Sequence, residues 1–151
     1  MLPETSSYTC SIHWEGGNED YDTFSRLHSV GFPGGVKFSA GGAHHIEKPS
    51  QTNPEELFAA AVGSCMMMTI LAVFSRSRIT VSSYDDTPEA VLQYVERRYK
   101  ITKVILRPRI VVEGTPDPEK MQTLIQKSHA NCFISLSVKS EVIVEPTFVT
   151  A

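Results

Sequence analysis

The sequence predicts an α+β fold, with groups of strands arranged around two helices and no regular βαβ winding. Three observations carry that prediction. Residues Leu57 to Phe74, LFAAAVGSCMMMTILAVF, are the most apolar stretch of the chain and follow a strong helix start. Several segments before and after this stretch alternate apolar and polar residues with the period of a strand. A second helix start, Asp117-Pro118-Glu119, separates the later strands from a closing one.

Taken in order, Tyr8–Trp14 places Tyr8, Cys10, Ile12 and Trp14 on one face of a strand, with Cys10 expected inward as inert packing. Gly16-Gly17-Asn18 marks a turn, and Thr23–Val30 is the expected return strand, holding Arg26 between Phe24 and Leu27. From Gly31 to Gln51 the chain is rich in Gly and Pro, with one short strand expected at Val36–Ser39. A long loop beside a helix start is often a mobile, functional segment. Asn53 caps the first helix, Pro54 fills its first position, and Glu55 and Glu56 meet its positive end. The helix is expected to reach about Ser75. Strands follow at Arg78–Asp85, Ala90–Arg98 and Thr102–Glu113, with Pro108 marking an edge or a bulge. The second helix turns Met121, Leu124, Ile125 and His129 inward, and Ser137–Glu145 closes the chain as a strand.

The 151 residues are expected to form one domain, large enough for a core without disulfide staples. With 14 basic and 17 acidic residues and no run of like charge, neither nucleic acid nor an anionic membrane is expected as a partner. Three cysteines do not make a secreted disulfide framework. The start, MLPETSSYTC, has no basic or apolar signal region, so a reducing cytoplasm is the expected compartment. Leu57–Phe74 reaches the lower limit of a membrane span. Gly63, Ser64 and Thr69 dilute it and basic residues do not cluster at one end, so a buried helix is expected instead. A helix apolar on all sides needs cover on all sides. One small chain has little left to provide it, and a homo-oligomer is expected. Ala59, Ala60, Ala61 and Gly63 would let two such helices approach closely.

Cys65 lies within the apolar helix and Cys132 lies 67 residues later, in His129-Ala130-Asn131-Cys132-Phe133. A thiolate can attack a peroxide bond and become a sulfenic acid, which a second thiol then captures as a disulfide. Simple packing of a buried cysteine is the competing reading. A reactive thiolate needs a cation nearby, and a guanidinium would also orient peroxide oxygen. Arg26 is one candidate; Arg107 and Arg109 share a strand face that solvent would equally explain. Glu55 and Glu56 serve as first-turn carboxylates or as a brace for that arginine. Ten residues of helix between Glu55 and Cys65 span about 15 Å. A shared site therefore requires a broken helix or an acid from a second subunit. His129 and Cys132, with His44, His45 and Cys65, lack a paired zinc motif, so no metal is expected. Met66, Met67 and Met68 suit a core or an apolar substrate pocket.

Asn53-Pro54-Glu55-Glu56-Leu57, then Ala59-Ala60 and Cys65, resembles the OsmC/Ohr family of organic hydroperoxide reductases, with Cys132 at the distance of its second cysteine. Tyr21–His28, Leu106–Arg109 and Ala130–Ile134 look like the OsmC-like branch. The resemblance covers nearly the whole chain. It implies that Cys65 is the peroxidatic cysteine, Cys132 the resolving one, Arg26 the activating arginine and Glu55 the acid that orients it. It also implies an intertwined homodimer with sheets wrapped around central helices, organic hydroperoxides as substrates, no cofactor, and a dithiol reductant such as a protein-bound lipoyl group. The apolar lining would favour alkyl or fatty-acid hydroperoxides over hydrogen peroxide. Two departures stand out: Gly16-Gly17-Asn18 occupies the place where the hydroperoxide reductase branch has its arginine, and Phe133 stands where a proline commonly follows the second cysteine. The rival expectation is a redox-sensing or small-molecule-binding module without efficient turnover.

Overall fold

The helix opened by Asn53-Pro54-Glu55-Glu56 is α1, which runs unbroken from Pro54 to Arg76. It stops because Arg78 adopts a left-handed conformation, φ 60°. That turn lets the Ile79 N–H reach back to the Phe74 carbonyl at 3.0 Å and buries Ile79 against the core. The computed structural model describes residues 3–151. The chain divides into two compact units, Met1–Pro54 and Glu55–Ala151.

The first unit holds an antiparallel sheet of β1 (Ser11–His13), β2 (His28–Gly31) and β3 (Lys37–Ala40), in that order. β1 is shorter than the expected Tyr8–Trp14 and wholly exposed. Cys10 just before it is exposed too, not packed inward. The expected Thr23–Val30 strand is also cut short, because Thr23 and Phe24 donate to the Asp20 carbonyl and turn the chain. Arg26 therefore precedes β2 and is not part of a strand. The loop after β3 is fastened at its far end: Thr52 donates to the Ser39 carbonyl at 3.1 Å, and Gly41 to the Thr52 carbonyl at 2.9 Å.

The second unit packs α1 and α2 (Pro118–Asn131) against two three-stranded sheets. β4 (Val81–Asp85), β7 (Arg109–Val112) and β9 (Thr147–Thr150) form one; β5 (Glu89–Val95), β6 (Arg98–Leu106) and β8 (Glu141–Val144) form the other. Each sheet contains an antiparallel and a parallel pair. The expected Thr102–Glu113 strand is interrupted at Arg107-Pro108, where proline offers no N–H to a ladder. The Pro108 carbonyl still accepts from Thr147 N–H at 2.8 Å, so the central path bends between the sheets. Asp117 caps α2, accepting from the N–H groups of Glu119 and Lys120. Met121, Leu124 and Ile125 face inward as expected, joined by Ser128; His129 is only half-buried.

Val62, Met66, Ile70 and Phe74 of α1 are completely buried, among Val104, Leu106 and Ile110 from the sheets. Each such side chain contributes about 1.5–3 kcal/mol on leaving water. By length and composition alone α1 could cross a membrane. Its opposite stripe, Ala60, Ala61, Ser64, Met68 and Ala72, is exposed, and Met68 is 57% accessible.

Candidate active site

Cys65 lies on the inward side of α1, 9% exposed, in the same cluster as Val62 and Met66. Cys132 occupies the corner between α2 and a short helix, α3 (Phe133–Ser137). Its extended backbone, φ −76° and ψ 112°, ends one helix and starts the next. That corner turns the Cys132 side chain into the core, where it is fully buried. The two thiols, 67 residues apart in sequence, meet in the same buried cluster. Burial pushes the Cys132 thiol above its ordinary value, and the N–H groups of Ser135 and Ile134 oppose that rise; the neighbouring Cys65 sulfur adds to it. Cys132 therefore holds its proton at neutral pH. Neither thiol is in a disulfide.

Glu55 sits in the first turn of the unbroken α1, so its separation from Cys65 along the helix is about 15 Å. A break in the helix is excluded. The Glu55 Oε2 atom is buried without a hydrogen-bond partner. Such a carboxylate oxygen is costly to leave unpaired.

Arg26 is half-buried and tightly held within the first unit. Its Nη2 donates to the Tyr21 carbonyl at 2.9 Å and its Nη1 to the Phe24 carbonyl at 3.2 Å. The guanidinium carbon lies 4.1 Å from the Phe24 ring centre and 5.3 Å from that of Tyr21. Arg26 lines an apolar cleft of about 390 Å³ with Ile12, Trp14, Asn18, Phe24 and His28. Nothing in the sequence singles out Glu47, a lone acid in a loop rich in Gly and Pro. Yet its carboxylate accepts from the Arg26 N–H at 2.9 Å and from the Ser25 hydroxyl.

Arg107 is occupied elsewhere. Its guanidinium pairs with Glu89 at 2.9 Å and Glu145 at 3.3 Å, and its N–H donates to Asp86 at 2.9 Å. The Glu89 hydrogen bond raises its pKa further. Arg109 is exposed. Among the described residues, no group of three or more His, Cys, Asp or Glu side chains is placed to hold a metal ion.

The family model described as OsmC-like protein matches residues 47–147. This chain belongs to the OsmC family. Peroxiredoxin OsmC of Escherichia coli (strain K12) is 33% identical over 97 residues, which is 64% of this chain and 67% of that protein. An OsmC-like protein of unknown function from Vibrio cholerae has the same fold, with a TM-score of 0.82 and 32% identity, covering 95% of this chain and 100% of that one. The organic hydroperoxide resistance protein OhrB of Bacillus subtilis shares the fold at 23% identity, with a TM-score of 0.67 over 94% of this chain and 98% of its own. The α+β OsmC-like fold expected from the sequence is the fold found.

Proposed function

We propose that this OsmC-family protein is a thiol-dependent peroxidase that reduces organic hydroperoxides to alcohols. The observation that carries the proposal is the meeting of Cys65 and Cys132, 67 residues apart in sequence, inside one apolar core. The Cys65 thiolate attacks the distal peroxide oxygen; an S–O bond forms, the O–O bond breaks, and the alkoxide takes a proton to leave as alcohol. Cys132 then gives up its proton and its sulfur attacks the Cys65 sulfenic acid; the S–S bond forms, the S–O bond breaks, and the hydroxide leaves with that proton as water. A dithiol reopens it by two exchange steps, becoming a cyclic disulfide. A protein-bound lipoyl group has that chemistry. The relatives named peroxiredoxin and organic hydroperoxide resistance protein support the reaction class.

Arg26 is the proposed activator of Cys65, and Glu55 the acid that braces it. The unbroken helix separates Glu55 from Cys65 of its own chain, so the acid at each thiol is proposed to come from a second copy. The exposed apolar stripe on α1 supports a homodimer in which that stripe is covered. The core around the cysteines favours alkyl or fatty-acid hydroperoxides over hydrogen peroxide.

Steady turnover of tert-butyl hydroperoxide tests this reading, with dithiothreitol compared against a monothiol. The dithiol is expected to sustain many cycles and the monothiol few. A redox sensor or a binding module would oxidise once and stop, and that result would overturn the proposal.

A further inference from the structure

We infer that Glu47 is a positioning residue for Arg26, an inference that rests on the reading of Arg26 as the activator of Cys65. Residues 25–27 form no regular secondary structure, so no ladder fixes the backbone that carries this arginine. A single carboxylate supplies the fixing. Glu47 Oε1 accepts from the Arg26 N–H at 2.9 Å, and Oε2 accepts from the Ser25 hydroxyl. The Ser25 oxygen in turn accepts from the Leu27 N–H at 3.2 Å, so three consecutive residues hang on one acid. The Ser25 hydroxyl, with the Arg26 and Leu27 N–H groups, holds the Glu47 carboxyl below the usual carboxylate range.

Glu47 is itself held. Gln51 Oε1 accepts from the N–H groups of Glu47 at 2.8 Å and Lys48 at 3.0 Å, while Gln51 Nε2 donates to the His45 carbonyl at 2.8 Å. Thr52, next in sequence, is fastened to the end of β3. The chain of support therefore runs from the sheet through Gln51 and Glu47 to Arg26. From the same loop, Gly42 lies so close to the arginine stem that a Cβ there would sit 3.3 Å from Arg26 Cδ. Glu47 grips the backbone below the guanidinium, which leaves the side chain to its ring and carbonyl contacts. A displacement of about 1 Å in such a group is enough to cost large factors in rate.

Two measurements test the inference. The first is kcat/KM for tert-butyl hydroperoxide with dithiothreitol, in Glu47→Ala, Glu47→Gln, Arg26→Ala and the Glu47→Ala/Arg26→Ala pair. Glu47→Ala is expected to lose about tenfold or more. Glu47→Gln, which keeps an acceptor for the Arg26 N–H, should recover most of that. Adding Glu47→Ala to Arg26→Ala should cost nothing further. The second is the Arg26 side-chain N–H resonance, shifted by the Phe24 ring, which should move toward the position of a free arginine in Glu47→Ala. Additive losses in the double variant, or an unmoved Arg26 resonance, overturn the inference. A wild-type rate in Arg26→Ala removes the activating role of Arg26 instead, and with it any part for Glu47 in the reaction.

Discussion

Gly63 and Pro88 touch so closely that a Cβ on the glycine would lie 2.4 Å from Pro88 Cγ. The contact presses the loop between β4 and β5 onto α1 two residues before Cys65. Alanine at this position would gain about 1 kcal/mol of helix propensity. The clash falls on a proline ring that cannot swing aside, and overpacking of this kind costs about 1–3 kcal/mol. The clash wins. Gly63→Ala is expected to lower stability by about 1 kcal/mol in urea titration and to slow Cys65–Cys132 disulfide closure. A more stable variant would show that the loop yields.

Arg26 and Arg107 should separate cleanly. Loss of Arg26 removes the proposed donor to the peroxide and should slow turnover by about 10²–10³. The Arg107 guanidinium pairs with Glu89 and Glu145 at half-exposed positions, where solvent screens such pairs and they contribute little. Arg107→Ala should therefore change stability slightly and the rate by less than about tenfold. The reverse ranking in a stopped-flow oxidation assay would move the activating role to Arg107.

The raised Cys132 pKa carries a sign for alkaline stability. The unfolded thiol ionises near its ordinary value of about 8.5, while the folded one stays protonated to higher pH. The stability that burial of the neutral thiol contributes is complete below that value and declines as pH rises from it through the folded pKa. Under reducing conditions, wild-type stability should fall across this window, and Cys132→Ser should flatten the fall. Parallel curves would contradict the assignment of a protonated Cys132.

The α1 stripe of Ala60, Ala61, Ser64, Met68 and Ala72 should be covered by a second chain. Sedimentation at micromolar concentration is expected to show about twice the 16.7 kDa chain mass. Met68→Glu or Ala61→Lys should weaken the dimer and the turnover together, because the proposed Glu55 brace comes from the second copy. An active wild-type monomer would contradict the shared site.

Helix α1 was legible because cap, proline, acids and apolar run agree, and its family motif carries Cys65. Cys132 was legible as a second thiol. Its corner between α2 and α3 was not, because Phe133-Ile134-Ser135-Leu136-Ser137 alternates like a strand while its short helix is set by tertiary context. Pro108 signalled an irregularity, but not that the central path would split into two strands. β9 was missed because Thr147–Thr150 is four residues long and is defined only by its parallel pairing with β7. Arg26 was expected in a strand. Side-chain oxygens of Ser25 and Glu47 take the backbone N–H groups there, and no periodicity records such a competitor.

The most direct test of the account is turnover of tert-butyl hydroperoxide by the three cysteine variants, followed by mass analysis of the oxidised protein. Cys65→Ser should be inactive. Cys132→Ser should consume about one equivalent of peroxide and then accumulate sulfinic acid at Cys65. Cys10→Ser, altered only at the exposed thiol, should turn over like the wild type and yield a Cys65–Cys132 disulfide. Full activity in Cys65→Ser, or a loss in Cys10→Ser as deep as that in Cys65→Ser, would contradict the account.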